Sequence, residues 1–560
     1  MYRSPFRKSS FNNPLISSFL VALSLIVYAA CQPAVIEPDE NELSQAMQNG
    51  YLAHEGYTRS LSFVNDWLAH ADPETGLIPR NLRESADIWN AQDAAADNYP
   101  FMVMTASILD KSLYEGRLAA ILETEKRLTN RLDRLPDTYS FSKKGFDRAE
   151  VNKDAIIFGA SEYVKDGLLP LTEYIGQTPW SDRMRDILDD IWKNASYETP
   201  YGRIPSLNVE VNGELLQVLS RVYWMSGDKK YLEWALRLGD YYLLDEHHPT
   251  DDFEILRLRD HGCEIVSGLC ELYLTTAHTD EGKKNAYQPA IYRMLDRILE
   301  VGTNEHGLFY NQINPQTGEI LDEGIADTWG YTFNAYYSVY LLDQYEPYRE
   351  AVIRALENLD QYAYYDWERG SSDGYADAIE SALNLYNREP LPETKAWIDS
   401  QTQHMWSLQD SAYRPDTEAY RGNGIIEGWH GDGNFARTTL MYCLWKTQGV
   451  TAEPWQPELY LGAVARDSGV LVSLLSEEAW EGKITFDRAR HRHIFQLPLD
   501  YPRINQLPEW FVVAPDKKYR VTFPTGNTSG TYRGEELLEG LALKLEKNQQ
   551  ISLIIQPLEH

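Results

Sequence analysis

Cysteine is scarce in this chain: there are four in 560 residues, Cys31, Cys263, Cys270 and Cys443. Cys263 and Cys270 lie seven apart on a helical pattern, roughly 10 Å along the axis, too far for a bridge. With Cys31 set apart, the odd three exclude a disulfide framework and read as small core residues. No CxxC pair and no HExxH occurs, so no linear zinc motif is present. GxGxxG and the P-loop pattern are missing too, which removes the common nucleotide-binding loops. Positive charge is also in short supply, 52 Lys and Arg against 84 Asp and Glu, for a formal charge of -32. Such a chain repels nucleic acid and anionic surfaces, and nucleic acid is not expected as a partner. After residue 30 no apolar run is long enough to cross a bilayer.

What the chain does have is length and aromatic surface. Five hundred and sixty residues exceed one ordinary core and point to several domains, or to one large toroid with an appendage. Aromatics make up 12%, with 37 Tyr and 15 Trp. These rings pack like apolar groups yet keep a polar edge, which suits sugar binding as well as core filling. From residue 44 to 454 apolar positions recur every three or four residues, as in ELLQVLSRVYWM, KYLEWALRLGDYYLL and YTFNAYYSVYLLDQY. These helices come in pairs joined by short turns such as MSGDKKY. Longer connections carry Gly, then Ile or Leu, then a turn (ETGLIPRN, ETPYGRIPS, RGNGIIEGW), a weak internal repeat. From 455 to 560 short β-rich runs take over, among them KKYRVTFP and QQISLIIQP, which reads as a small sandwich-like β-domain.

The first thirty residues have the form of an export signal. Arg3, Arg7 and Lys8 precede a short apolar stretch, LISSFLVALSLIV, closed by Ala29, Ala30 and Cys31. This resembles a bacterial lipoprotein signal, although Tyr28 stands where Leu is usual. The resemblance implies cleavage after residue 30, a lipid on Cys31, a linker over 31–43 and a lipid-anchored place in the bacterial envelope. Gln32 after the Cys favours the outer membrane, with the periplasmic or the external face left open.

Acidic residues gather where the helices begin. Asp93 and Asp97 stand in NAQDAAADNYPFM, Asp154 in NKDAIIFG, and Glu210 and Asn212 in VEVNGELL. Asp260, His261 and Glu264 lie in RDHGCEIV, Asp327 and Trp329 in IADTWGY, and Asp373 and Asp377 in SSDGYADAI. The stretch IIEGWHGDGNFARTT brings Glu427, Trp429, His430, Asp432, Asn434 and Arg437 into one glycine-broken turn. Taken singly, each acid suits an N-cap. Taken together in a ring of helices, their starts converge on one cavity.

Helical hairpins closing into a double ring, followed by a β-domain, resemble the (α/α)6 toroid carbohydrate-active enzymes. NAQDAAADNYPFMV and EGWHGDGNFARTT are similar in style to unsaturated glucuronyl hydrolases, and toroidal polysaccharide lyases share the architecture. No catalytic motif matches residue by residue, so roles are read from chemistry. A hydrolase needs one protonated and one ionised carboxyl group, for which Glu427, Asp432, Asp327, Asp260, Glu264 and Asp97 are candidates. A lyase needs a base and a group that neutralises a uronate, for which His261, His430, Tyr331, Asn434 and Arg437 are candidates. The leading expectation is a glycoside hydrolase on uronic-acid saccharides, with Glu427, Asp432, Asp327, Asp260, His261 and His430 catalytic. Trp429, Arg437, Asn434, Trp329, Tyr331 and Asp97 are expected to bind substrate. A polysaccharide lyase is the alternative and a glycan-binding lipoprotein the third. No cofactor is expected.

Overall fold

The computed structural model describes residues 38–82, 84–410, 433–524 and 528–558. Cys31, Glu427, Trp429, His430 and Asp432 lie outside the described residues. The chain is mainly α: helical hairpins form an α/α toroid, and small sheets follow at the C-terminal end. Among the described residues no helix is long and apolar enough to cross a membrane.

The inner wall can be followed helix by helix. It starts with α2 (Tyr99–Leu109), entered through the π-helical turn Ala91–Asn98. Next stand α4 (Lys153–Glu162) and α5 (Leu169–Ile175), continuous through the π-helical stretch Tyr163–Leu168. Then come α7 (Val209–Ser226), α9 (Glu264–Thr279), α11 (Trp329–Asp343), α13 (Ser372–Tyr386) and α15 (Gly433–Lys446). Each packs on the next, and α15 returns to α2. The outer layer is α3 (Ala119–Thr129), α6 (Pro179–Lys193), α8 (Lys229–Leu243), α10 (Glu281–Gly302), α12 (Glu346–Glu357) and α14 (Pro392–Asp410). Helix α1 (Glu40–Ala69) completes it against α15. The first helix of the toroid thus closes the last hairpin, and the inner wall among the described residues has seven segments. This extends the six-hairpin count by one.

Inner helices are apolar nearly all round because they are covered on every side. Helix α9 buries every residue from Glu264 to Thr276, and α11 every residue from Trp329 to Val339. Outer helices are amphipathic, as α6 is, with Trp180, Met184, Ile187, Leu188 and Ile191 on its buried face. Glycine sets the closest approach. A Cβ on Gly213 of α7 would stand 2.4 Å from the amide nitrogen of Ile265, and one on Gly268 of α9 would stand 2.5 Å from the carbonyl of Gly213. Only hydrogen fits at both.

The β-domain holds a five-stranded antiparallel sheet in the order Leu459–Arg466, Gly469–Ser476, Gln549–Pro557, Lys518–Phe523, Thr528–Arg533. Beside it lies a three-stranded sheet of Thr451–Glu453, Trp480–Thr485 and Leu541–Leu545. Their inward side chains, such as Val472, Leu474, Val521 and Leu553, form a core separate from the toroid's. One segment crosses between the two. Phe495, Leu497, Tyr501 and Leu507 leave the sheets and join the core of the toroid. This arm runs up the ring from the C-terminal ends of the inner helices. Arg388 meets Asp500, Arg503 meets Glu173 at 2.6 Å, Tyr501 donates to Glu271, and Asn505 is the innermost point.

Candidate active site

Six of the seven inner segments present their N-terminal turns, or the turn just beside, to one cavity of about 410 Å³, and the second presents its middle, Phe158 to Asp166. Capping does not explain its acids. The side chains that bond the free N–H groups are Asn90, Asn152, Asn208 and Ser371, which accept from Ala94, Ala155, Glu210 and Gly374. Asn and Ser do the work for which Asp was expected, and the carboxylates one or more residues further on turn inward. Ten of them line the cavity, against Arg80, Lys165, Arg437 and His261.

Two walls can be told apart. One is built by α13, α15 and α11. Arg437 is 2% exposed and reaches Asp377 at 2.7 Å and Glu380 at 2.7 Å, while Asn434 and Asn505 accept from its Nη1. The Tyr331 hydroxyl shares its one proton between Asp377 and Glu380, 2.9 Å from each, and the backbone N–H of Asn505 donates to Glu380 at 2.6 Å. Asn505 therefore ties the tip of the arm to the floor of the cavity. Burial, and the charges of Asp377 and Glu380 against it, push the Tyr331 phenol well above its ordinary value despite Arg437.

The other wall comes from α4, the π-helical stretch after it, α7 and α9. Lys165 is buried and bonds Asp166 at 2.6 Å and Glu264 at 2.5 Å; Gln217 also donates to Glu264. His261 faces Glu162 and Glu210 through Nδ1, both at 3.4 Å, and Asp260 through Nε2 at 3.0 Å. Burial opposes its charge, but Asp260 foremost, then Glu210 and Asp166, hold the imidazolium well above its ordinary range. Burial likewise opposes the Asp260 carboxylate, yet His261, Arg257 and Arg259 hold it well below the usual carboxylate range. Asp260 sits at φ +48° and Glu368 at φ +45°, two non-glycine residues in the left-handed region, both lining the cavity. Strain of this kind is held where surrounding contacts over-determine it.

Asp327 stands at the junction with an adjoining cavity of about 830 Å³, which shares Glu368 with the first. It is 5% exposed. Burial, then the charges of Asp377, Glu368 and Asp260, push its carboxyl up to about 7. Tyr364, fully exposed, and Tyr365 flank the same opening.

Of the residues singled out in the sequence, the fold brings Asp97, Asp260, His261, Tyr331, Asn434 and Arg437 together around the first cavity, with Asp327 at its edge. Trp329 is a correction. It is fully buried, packs on Phe333 and lines neither cavity, because two helical steps beyond Asp327 it points between helices. Arg437, expected to grip a substrate carboxylate, spends its guanidinium on Asp377 and Glu380. Glu162, Asp166, Asp377, Glu380 and Asn505 were not singled out as site residues. Asp377 stands out in the sequence only as one of the helix-start acids; Glu162, Asp166 and Glu380 lie further inside helical stretches, where only an acid on an apolar face marks them.

No family model and no curated protein matches the chain. Solved structures do resemble it, and unsaturated glucuronyl hydrolase is among them. That enzyme, from Bacillus sp. GL1 and responsible for the degradation of glycosaminoglycan, shares 16% identity over 53% of this chain and 88% of its own, at a TM-score of 0.36. The cellobiose 2-epimerase of Bacillus thermoamylovorans B4167 shares 12% over 55% and 87%, at 0.38. The α-1,6-mannanase GH76A of Salegentibacter sp. HEL1_6 shares 12% over 53% and 89%, also at 0.38. Overlap at this level says nothing of which reaction this chain performs.

Proposed function

We propose that this chain is a carbohydrate-active enzyme, a glycoside hydrolase that cleaves an oligo- or polysaccharide with Asp327 as general acid. The observation that carries this is the contrast between Asp327 and Asp377. Asp327 keeps its proton to about pH 7, whereas Asp377 sits in an ion pair with Arg437 and accepts from Tyr331. Two coupled carboxyl groups in unlike environments are what protonation of a leaving oxygen and activation of water require. Asp327 gives its proton to the glycosidic oxygen as the bond breaks. Asp377 orients a water, or attacks the sugar carbon itself. Tyr364 and Tyr365, beside Asp327, offer ring faces to the sugar.

Among the described residues β-elimination finds no free base; His430 lies outside them. Both nitrogens of His261 face carboxylates, and the Tyr331 hydroxyl is engaged by Asp377 and Glu380. The charge of the cavity also disfavours the uronic-acid substrate expected from the sequence. Arg437 is committed to Asp377, Lys165 to Asp166 and Arg80 to Asp93, and the carboxylates outnumber them. A neutral glycan avoids that repulsion.

The export signal places this chemistry outside the cytoplasm in the same proposal, with Cys31 carrying a lipid at the outer membrane. Loss of membrane association in Cys31→Ala tests that part. The reaction is tested on neutral and uronate glycans by product mass and ultraviolet absorbance. Uptake of water without new absorbance on a neutral glycan is the expected result. A new absorbing double bond without water uptake overturns it.

A further inference from the structure

The wall around Glu214 crowds more carboxyl groups together than its own side chains answer: burial first, then the neighbouring acids, push Glu214 and Glu162 well above the usual carboxylate range. Glu214 is 0% exposed, and neither of its carboxylate oxygens has a hydrogen-bond partner. Ser161, whose hydroxyl lies near it, gives its hydrogen bond to the carbonyl of Phe158. One oxygen of Glu162 and one of Asp166 are buried with no donor from another residue, and the two carboxyl groups face each other closely enough to share a proton. A buried carboxylate with nothing to bond is costly. These three carboxylates and His261 bring one donor atom each to within 4.8 Å of one another. That spread is what one cation bonded at about 2.0–2.6 Å to each can span.

We propose that Glu162, Asp166, Glu214 and Nδ1 of His261 form a binding site for one divalent cation in the wall of the cavity, the ion displacing to solvent the Nδ1 proton and those the carboxyl groups hold in its absence. The surroundings fit such a site. Lys165 takes the other oxygen of Asp166 and is shared with Glu264, so it answers only part of the charge. Nε2 of His261 points at Asp260 Oδ1, 3.0 Å away. An imidazole backed by a carboxylate in this way is oriented to give its other nitrogen to a metal. Asp166 comes from the π-helical stretch Tyr163–Leu168, and such a stretch re-aims side chains that a regular helix would carry past the site. Three oxygen donors with one nitrogen favour manganese or zinc over magnesium or calcium.

A second group, His491, Asp500 and Glu509, has the same donor types. It differs where it matters: Arg388 and Arg503 stand against Asp500, and Arg490 acts on Glu509. Its charge is met by the chain itself. Around Glu214 it is not.

The test uses tag-free full-length protein, stripped with EDTA and titrated separately with manganese, zinc and calcium chloride by calorimetry, with thermal unfolding in parallel. One ion per chain and a higher Tm are expected with manganese or zinc. Glu214→Gln and Asp166→Asn each lower the affinity more than tenfold, and Asp260→Asn lowers it about 10- to 100-fold through His261. Metal-free Glu214→Gln unfolds at or above the wild-type temperature, since a buried carboxyl group without a partner, costly to ionise, is gone. No heat and no Tm shift with any of the three ions overturns the site, as does binding unchanged in both Glu214→Gln and Asp166→Asn. The proposal does not depend on the reaction, and its failure leaves the hydrolase reading standing.

Discussion

The two walls of the cavity use the same residue types to opposite ends. Around Arg437, two carboxylates, a phenol and two amides close on one guanidinium, and Glu380 is bonded at both oxygens. Around Glu214, carboxylates from neighbouring helices face one another and leave oxygens unbonded. The first wall carries its own cation and is finished when the chain folds. The second is assembled for something the chain does not supply. An acidic cluster therefore has no fixed meaning, and the hydrogen-bond inventory of each oxygen tells a structural wall from a binding one. Asp327 belongs to neither wall: burial pushes its carboxyl up to about 7, as it does that of Glu380, but Asp327 faces the adjoining opening, where a saccharide can reach it.

The largest effect should come from Asp327→Asn, which removes the general acid and is expected to lower kcat by about 10²- to 10⁴-fold. The same change should help stability at alkaline pH. The carboxyl is raised in the folded chain from 3.8 to about 7. Its contribution is thus fully present below about pH 4 and is lost as pH rises through about 7. Thermal unfolding at pH 8 should place the variant at or above wild type.

Arg437→Met breaks the finished wall and leaves Asp377 and Glu380 buried without their cation. A loss of about 3–5 kcal/mol is expected in denaturant unfolding. The contrast with Glu214→Gln, which in metal-free protein should cost nothing, is the sharpest test of the difference between the walls. Equal losses in the two variants would erase it.

Asn505→Ala loosens the arm's hold on the floor, removing its side-chain contacts to Arg437 and Asp166 and leaving the backbone N–H on Glu380. About 1–3 kcal/mol of stability is expected to go, as for buried partners left unsatisfied. The smallest effect is that of Tyr364→Ala. A stacking contact of about 1 kcal/mol would appear as a rise in KM with kcat unchanged.

Much of this was legible in the sequence because helix starts are locally written. Asn208 before Glu210 and Ser371 before Asp373 mark where the chain turns into a helix, and three-four periodicity marks the body of each helix. Closing the ring then groups Asp97, Asp260, His261 and Arg437. Trp329 opens a helix two residues after Asp327, and its facing direction depends on helical phase, which shifts by about 100° per residue. Asn505 was illegible for another reason: it meets Arg437 across 68 residues of sequence, from a segment with no pattern of its own. Glu214 lies inside VEVNGELLQVL, where a lone acid among apolar residues is the only trace it leaves.

The most direct test of the central claim is the pH dependence of kcat/KM on a cleaved glycan, for wild type and Asp327→Asn side by side. The wild type should show an alkaline limb near pH 7, and the variant a residual rate from which that limb is missing. A variant with wild-type turnover, or one that keeps the same limb, would contradict Asp327 as the acid.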